Sequence, residues 1–285
     1  MLDIMNTNEA DLTRVETHFS FGKNWAEFSE KVDETRIDEA ERGLRRLIEE
    51  KEITGGSFLD IGCGSGLHAL AAIRLGAKRV LAIDIDADSV ATTRTMLERH
   101  ALSQNQRQTW QVEEKSVFDI VPEKDGRFDV VYSWGVLHHT GDLARALYCA
   151  AACVASGGLF CFALYRRIWM DWFWRLEKRW YANAKPEAQA RARRCYVVLH
   201  RFLVGRKRHE RYVKDNHDRG MDFYHDVHDW MGGWPYESIS PKEVERHMRA
   251  LGFEAVRQYI FKGRLIRHIG LLGSGNDEYV YRRQR

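Results

Sequence analysis

Phe58-Leu59-Asp60-Ile61-Gly62-Cys63-Gly64-Ser65-Gly66 is the stretch from which the rest of the chain can be read. Ser57 to Ile61 is a short apolar run that suits a buried strand, and three glycines follow at alternate positions. Leu67 to Leu75 then has helical spacing and stops at Gly76, a good C-cap residue. At Gly62 and Gly64 no Cβ stands between the backbone and a ligand. The helix that starts near Gly66 turns its positive end toward the same space. Open parallel sheets bind ligands at the carboxyl ends of their strands, which is where this loop falls.

A G-x-G loop by itself is a weak signal. Dinucleotide dehydrogenases use G-x-G-x-x-G, but here the third glycine is Gly66 and the next position is Leu67. An acid, Asp60, also stands inside the strand end. A second acid, Asp84, closes the next strand 22 residues after Gly62, the place for a carboxylate that accepts both hydroxyls of a ribose.

Working outward, Thr35 to Glu50 predicts an amphipathic helix with Ile37, Ala40, Leu44 and Leu47 inward. Arg79–Ile83 is the second strand, and Asp88–His100 is a helix that Asp86 or Asp88 caps. Thr109–Val112 and Phe128–Ser133 are the third and fourth strands. A helix follows from about Asp142 to Ala155, and Gly157-Gly158 turns into the fifth strand, Leu159–Leu164. Strands alternating with helices of this length indicate βαβ units. The alternation stops at Tyr165 and resumes with Ser240-Pro241 opening a helix over Lys242–Leu251. Two last strands follow, Phe253–Phe261 and Glu278–Tyr281. The expected fold is α/β: a doubly wound, mostly parallel, seven-stranded, Rossmann-like sheet with a helical insertion after the fifth strand. Four segments result: an N-terminal helical lid, 1–50; a nucleotide-binding core, 51–164; a basic, Trp-rich helical cap, 165–236; and the completion of the core, 237–285.

With 285 residues and 44% hydrophobic content the chain can bury a sizeable core. No apolar run approaches the length of a membrane span, and Met1–Glu16 has no secretory pattern. Five scattered cysteines suggest reduced thiols in a cytoplasmic protein and no metal set. The net charge of +3 conceals a strong asymmetry: Tyr165–Lys214 holds 15 Lys+Arg against 4 Asp+Glu, which is +11, so the remainder carries −8. A cationic segment on an acidic body attracts phosphate, anionic lipid or nucleic acid.

The motifs together resemble the class I S-adenosylmethionine (SAM)-dependent methyltransferases. Asp60-x-Gly62-x-Gly64-x-Gly66 is similar to their first motif and Leu81–Asp86 to their second. Phe128–His139 is similar to their fourth, and Gly157-Gly158 to the turn before their fifth strand. That resemblance implies SAM as cofactor. Asp60, Gly62, Cys63, Gly64 and Gly66 would hold its methionine end, Asp84 and Ile85 its ribose, Ser116, Val117 and Asp119 its adenine edge, and Ser133 and Trp134 the region near its sulfonium. The fourth motif lacks the Pro-Pro pair of enzymes that methylate nucleobase amines. Phe21-Gly22-Lys23-Asn24-Trp25-Ala26-Glu27-Phe28 resembles an F-G-x-x-W-x-x-F segment of small-molecule and glycan-pathway members. In that reading Trp25 and Phe28 cover the cofactor; otherwise they staple the N-terminal arm. His225–Glu237 resembles a D-W-x-G-G-x-P-x-E element of the same group, and Gly273–Tyr279 its G-x-N-E-Y hairpin.

The catalytic candidates are His225, Asp226, His228, His138 and His139, since a His–Asp pair suits a general base and His138 and His139 follow the fourth strand. Each also has a plain structural role open to it. In the cap, Ile168, Trp169, Trp172, Phe173, Leu176 and Trp180 share one helical face, and Ala188, Ala192, Cys195, Leu199 and Phe202 a second. The expectation is that these faces bury each other or the sheet, leaving the arginines in solvent. A substrate cap, or a surface lying on an anionic membrane, is the sharper alternative. The expected activity is methyl transfer, to oxygen, of a small or lipid-linked anionic metabolite. Three alternatives stand beside it: an RNA or protein methyltransferase using the basic segment, a SAM-binding scaffold without turnover, and a nicotinamide dehydrogenase.

Overall fold

The computed structural model describes residues 11–14, 17–19, 21, 22, 25, 29, 32–101, 109–217, 223–261 and 269–285. Its elements run α1 (Glu34–Leu47), α2 (Glu50–Ile53), β1 (Ser57–Ile61), α3 (Leu67–Arg74), β2 (Arg79–Asp84), α4 (Ala87–His100), β3 (Thr109–Glu114), α5 (Pro122–Asp125) and β4 (Phe128–Trp134). A 3-10 turn (Leu137–His139), α6 (Leu143–Ala152) and β5 (Val154–Tyr165) follow. Then come α7 (Asp171–Ala182), α8 (Pro186–Val204), α9 (Arg206–His217), α10 (Phe223–Gly232), α11 (Pro241–Ala250), β6 (Phe253–Tyr259) and β7 (Asn276–Arg283).

The sheet order is β3-β2-β1-β4-β5-β7-β6, parallel through β5 and closed by the antiparallel pairs of β7 with β5 and β6. Register does what sequence distance cannot: Ile61 pairs with Ile83, so Gly62 and Asp84 leave the sheet side by side. Apolar layers cover both faces. Ile37, Leu44, Leu70 and Leu97 lie on one side; Leu147, Val244 and Met248 lie on the other. Helix starts are built locally. Asp86 accepts hydrogen bonds from the Asp88 and Ser89 amides to cap α4, and Ser240 with Glu243 forms a capping box on α11.

The structure corrects two local expectations. Gly157 and Gly158 lie inside β5, which begins at Val154, where turn residues were expected. The pairing passes from Phe128↔Val154 to Val130↔Leu159, so β5 bulges by three residues and the glycines sit in the bulge. The Trp stripe of α7 faces out: Trp169, Trp172, Phe173, Leu176 and Trp180 are exposed, whereas Trp174, Lys178 and Tyr181 are buried. The buried face packs on α10. The Lys178 ammonium donates to the Trp230 carbonyl and lies 3.5 Å from the Trp230 ring centre, 5.4 Å from that of Tyr236 and 6.0 Å from that of Tyr165. An apolar count selects the wrong face here because a lysine can be buried where a carbonyl and ring faces receive its charge. On α8, Cys195, Leu199 and Phe202 are likewise exposed. The His225–Gly232 part of the D-W-x-G-G segment is helical, within α10.

Candidate active site

A cavity of about 2300 Å³ opens at the carboxyl ends of the parallel strands and runs under the cap. One end is lined by Gly62–Ser65, Asp84–Asp86, Ser116–Phe118 and Trp134. The other is lined by Tyr165, Tyr196, Phe223, Asp226, Asp229 and Trp230.

At the first end the loop is held by backbone bonds, with the Gly62 amide donating to the Ile83 carbonyl at 2.8 Å. Gly62 has φ +74°, and a Cβ there would lie 2.4 Å from a Val136 methyl. At Gly64 (φ +52°) a Cβ would lie 3.1 Å from the Trp25 indole nitrogen, so the loop is glycine because neighbours come this close. Asp84 accepts from the Gly64 amide through Oδ2 and from the Asp86 amide through Oδ1, each at 3.0 Å. A carboxylate offers about four lone-pair sites, so acceptor capacity remains on both oxygens for a ligand. Burial raises its pKa to about 6. Asp60 lies beneath the loop, outside the cavity wall. Its Oδ2 is buried with no hydrogen-bond partner among the described residues, and burial, then Asp84, raises it to about 7. A half-satisfied carboxylate on the cavity wall and a loop too tight for side chains fit a ligand that brings vicinal hydroxyls and lies close against backbone. The ribose and methionine ends of SAM do both.

Of the other cofactor candidates, Cys63, Ile85, Ser116, Val117, Trp134 and Trp25 line the cavity, while Gly66, Asp119 and Ser133 do not. Gly66 starts α3 against Thr93, Asp119 is exposed, and Ser133 donates to the Ile61 carbonyl at 3.1 Å. Phe28 lies outside the described residues. The arm is positioned by a contact that the sequence did not reveal: the Gly22 amide donates to Asp86 Oδ2 at 3.1 Å, which sets Trp25 over the loop. The sequence marks Asp86 as a helix cap and the last residue of the second motif, not as an anchor for the arm. Glu278 was also missed. It lines the cavity and accepts from the Trp134 indole at 3.0 Å and from Arg46 at 2.7 Å, linking α1, β4 and β7. Only tertiary packing brings those three together.

The catalytic candidates separate. His139 and Asp226 line the cavity; His138 and His228 do not, and the His225 side chain lies outside the described residues. His139 Nδ1 donates to the Pro235 carbonyl at 2.7 Å, and burial pushes the ring down to about 3, so it is neutral and weakly basic near neutral pH. His138 is fully buried, with its Nδ1 accepting from the Tyr165 amide at 3.4 Å; burial holds it well below the usual imidazole range. His228 Nδ1 meets the Tyr181 hydroxyl at 2.7 Å and Arg193 at 3.0 Å; the guanidinium can only donate, so this nitrogen accepts. These contacts knit α7, α8 and α10. Tyr165, which pattern reading makes the first residue of the cap, is the last residue of β5 and lies where core and cap meet, its ring 3.8 Å from that of His138 and 5.0 Å from that of Trp230.

A family model described as a methyltransferase domain matches residues 32–258. Among curated proteins, ribosomal protein L11 methyltransferase of Photobacterium profundum is 39% identical over 56 residues, and that of Vibrio campbellii 41% over the same length. Each match takes in 20% of this chain and 19% of the relative, so the chain spans about a fifth of the relatives it matches. Among solved structures, magnesium protoporphyrin IX methyltransferase from Synechocystis, crystallised with S-adenosylhomocysteine, aligns with TM-score 0.51 at 12% identity, covering 88% of this chain and 84% of that one. An S-adenosylmethionine dependent methyltransferase from Mesorhizobium loti aligns with TM-score 0.50 at 18% identity, covering 85% and 96%. At such identities the likeness is one of fold.

Proposed function

The chain belongs to the methyltransferase-domain family, whose methyl donor is SAM, and from that premise we propose that it methylates an oxygen of a small or lipid-linked anionic metabolite. One observation carries the acceptor class. The cavity, about 2300 Å³, exceeds the ~300–1,000 Å³ of an ordinary ligand site. It continues past the glycine loop into a mostly apolar chamber whose far wall includes Arg208 and Leu271. That leaves room for a second large, partly apolar molecule, with a cation to meet its charge.

When bound, SAM supplies an electrophilic methyl group. The chain's own part is to hold the two reactants. Gly62–Gly64 and Asp84 fix the donor end, and Trp25 and Trp134 exclude water from it. Proximity and alignment supply much of the rate in such an in-line displacement. A hydroxyl acceptor must also lose a proton. Asp226 faces the chamber and is assigned as its recipient, because His139 is too weak a base and His228 is engaged in the cap.

The test is transfer of labelled methyl from SAM to a panel of anionic amphipathic acceptors. The product is expected to be an ether or ester, with turnover falling about 10²–10⁴-fold in Asp226→Asn. Transfer to nitrogen or carbon, or an Asp226→Asn enzyme with full turnover, overturns the respective part of the reading. The exposed basic residues Arg206, Lys207, Arg208, Arg211 and Lys214 on α9 favour RNA as a second reading. RNA affinity that falls steeply with salt, together with RNA methylation, would support it.

A further inference from the structure

Fifteen large hydrophobic side chains are exposed among the described residues, and nine of them lie on α7, the turn before it, and the second half of α8. Scattered exposed apolar residues need no explanation, but nine of them concentrated on two successive helices and the turn before them do. The exposed positions of α7 are Trp172, Phe173, Arg175, Leu176, Arg179 and Trp180: four large apolar groups, two arginines and no acid. Trp169 is 74% exposed just ahead of the helix, and Phe202 is 82% exposed on α8 beside Arg201. The opposite face of α7 is occupied by the packing of Trp174, Lys178 and Tyr181, so the helix cannot roll to hide the stripe without exposing a buried lysine.

The patch continues to Ile269 and Leu271. Backbone and side-chain bonds seat that segment between the helices: the Met170 amide donates to the Ile269 carbonyl at 3.0 Å, the Trp174 indole to the Gly270 carbonyl at 2.7 Å, and the Tyr196 hydroxyl to the Leu272 carbonyl at 2.9 Å. Leu203, Ile269 and Leu271 belong to both surfaces: they are exposed on the patch and they line the cavity. The acceptor chamber therefore opens through the apolar patch.

We propose that the outer face of α7, the second half of α8 and Ile269–Leu271 dock on an anionic lipid bilayer, and that an amphipathic acceptor passes from the bilayer into the cavity through this mouth. Charge and geometry select this occupant. Arg175, Arg179, Arg201, Lys207 and Arg208 flank the apolar groups, matching anionic headgroups, while tryptophans with one wet edge suit the headgroup depth. A protein covering the patch would close the mouth; a bilayer supplies it. No described helix is long and apolar enough to cross a membrane, which makes this an interfacial contact. The route of the acceptor rests on the proposed function; the docking does not.

The experiment is co-sedimentation of the full chain with vesicles of phosphatidylcholine alone and of phosphatidylcholine mixed with phosphatidylglycerol, at low and high salt. It is followed by tryptophan fluorescence, and no acceptor is present. Binding to the anionic vesicles only, weakened by salt and with a blue-shifted emission, is expected. Each arginine near an anionic surface is worth about fivefold in partition, so Arg175→Ala with Arg179→Ala should lose about 25-fold. Trp172→Ala with Trp180→Ala should lose binding while SAM affinity, read by calorimetry, stays at the wild-type value and shows the fold intact. Absence of vesicle binding, equal binding by the tryptophan variants, or a doubled mass in solution that the tryptophan substitutions abolish would each overturn the docking. Docking that stands with acceptors methylated equally well in water and in vesicles would instead remove only the route.

Discussion

At the scale of single residues the site depends on where carboxylates are placed and how deeply. Asp84 sits at a strand end with one amide on each oxygen, and burial holds its pKa near 6. A ribose hydroxyl donates, so only the ionised carboxylate receives it fully. SAM affinity should therefore hold above pH 6 and fall as pH drops through about 6, by at most about tenfold per unit. Asp84→Asn should bind more weakly by about 1.5–3 kcal/mol at pH 8 and lose that pH dependence. Calorimetric titration across pH 5–8 checks both, and an Asp84→Asn protein with unchanged affinity would remove Asp84 from the binding site. This residue was legible in the sequence because a strand end and a 22-residue spacing are local signals. Asp86's grip on Gly22 was not, because it joins positions 64 residues apart through a fold that had first to form.

At the scale of elements, α7 shows why a hydrophobic pattern can be right about the helix and wrong about its orientation. Its periodicity marks a helix correctly, yet the face that packs carries Lys178, pushed down to about 7 by burial. The unfolded lysine keeps its proton up to about pH 10.5, so between about pH 7 and 10.5 the unfolded chain binds more protons than the folded one. This residue's contribution to stability therefore rises with pH across that window, by at most ~1.4 kcal/mol per unit. Glu177, raised to about 7 by burial, acts in the lower window: the folded state holds the extra proton between about 4.5 and 7, and stability falls as pH rises there. Lys178→Met should flatten the rise between pH 7 and 9 and leave stability at pH 7 equal or higher, since an apolar chain of similar length replaces a buried amine. Urea unfolding at the two pH values decides; a Lys178→Met protein that keeps the wild-type slope would show that the lysine is solvated.

At the scale of the whole molecule, two parts built by different rules meet at Tyr165. The core is a mostly parallel sheet covered on both faces, and the described part of the cap is four helices held by aromatic clusters around Trp174, Tyr181 and Met231. Tyr165 belongs to β5 but packs on His138, His139, Trp230 and Tyr236. Tyr165→Ala should cost about 3–5 kcal/mol of stability, as other buried aromatic truncations do. Where the protein remains folded it should raise the acceptor KM while SAM affinity is kept, because the glycine loop makes no use of this ring. Tyr165→Phe should match the wild type in both. Equal losses of donor and acceptor binding in Tyr165→Ala would mean that the two ends of the cavity are not separable.

The α/β alternation, the insertion after the fifth strand, the glycine loop and the two acids beside it are all readable from local sequence. Each is written in neighbouring residues: period two or period 3.6, glycines at alternate positions, an acid at a strand end. Tertiary structure alone decided which histidines face the cavity, that Glu278 reaches Trp134 and Arg46, and which face of α7 is buried. A helix face is chosen by the surface it meets, here the Trp230 carbonyl and the rings of Tyr165 and Tyr236. That surface is assembled from segments dozens of residues apart, and no local pattern records it.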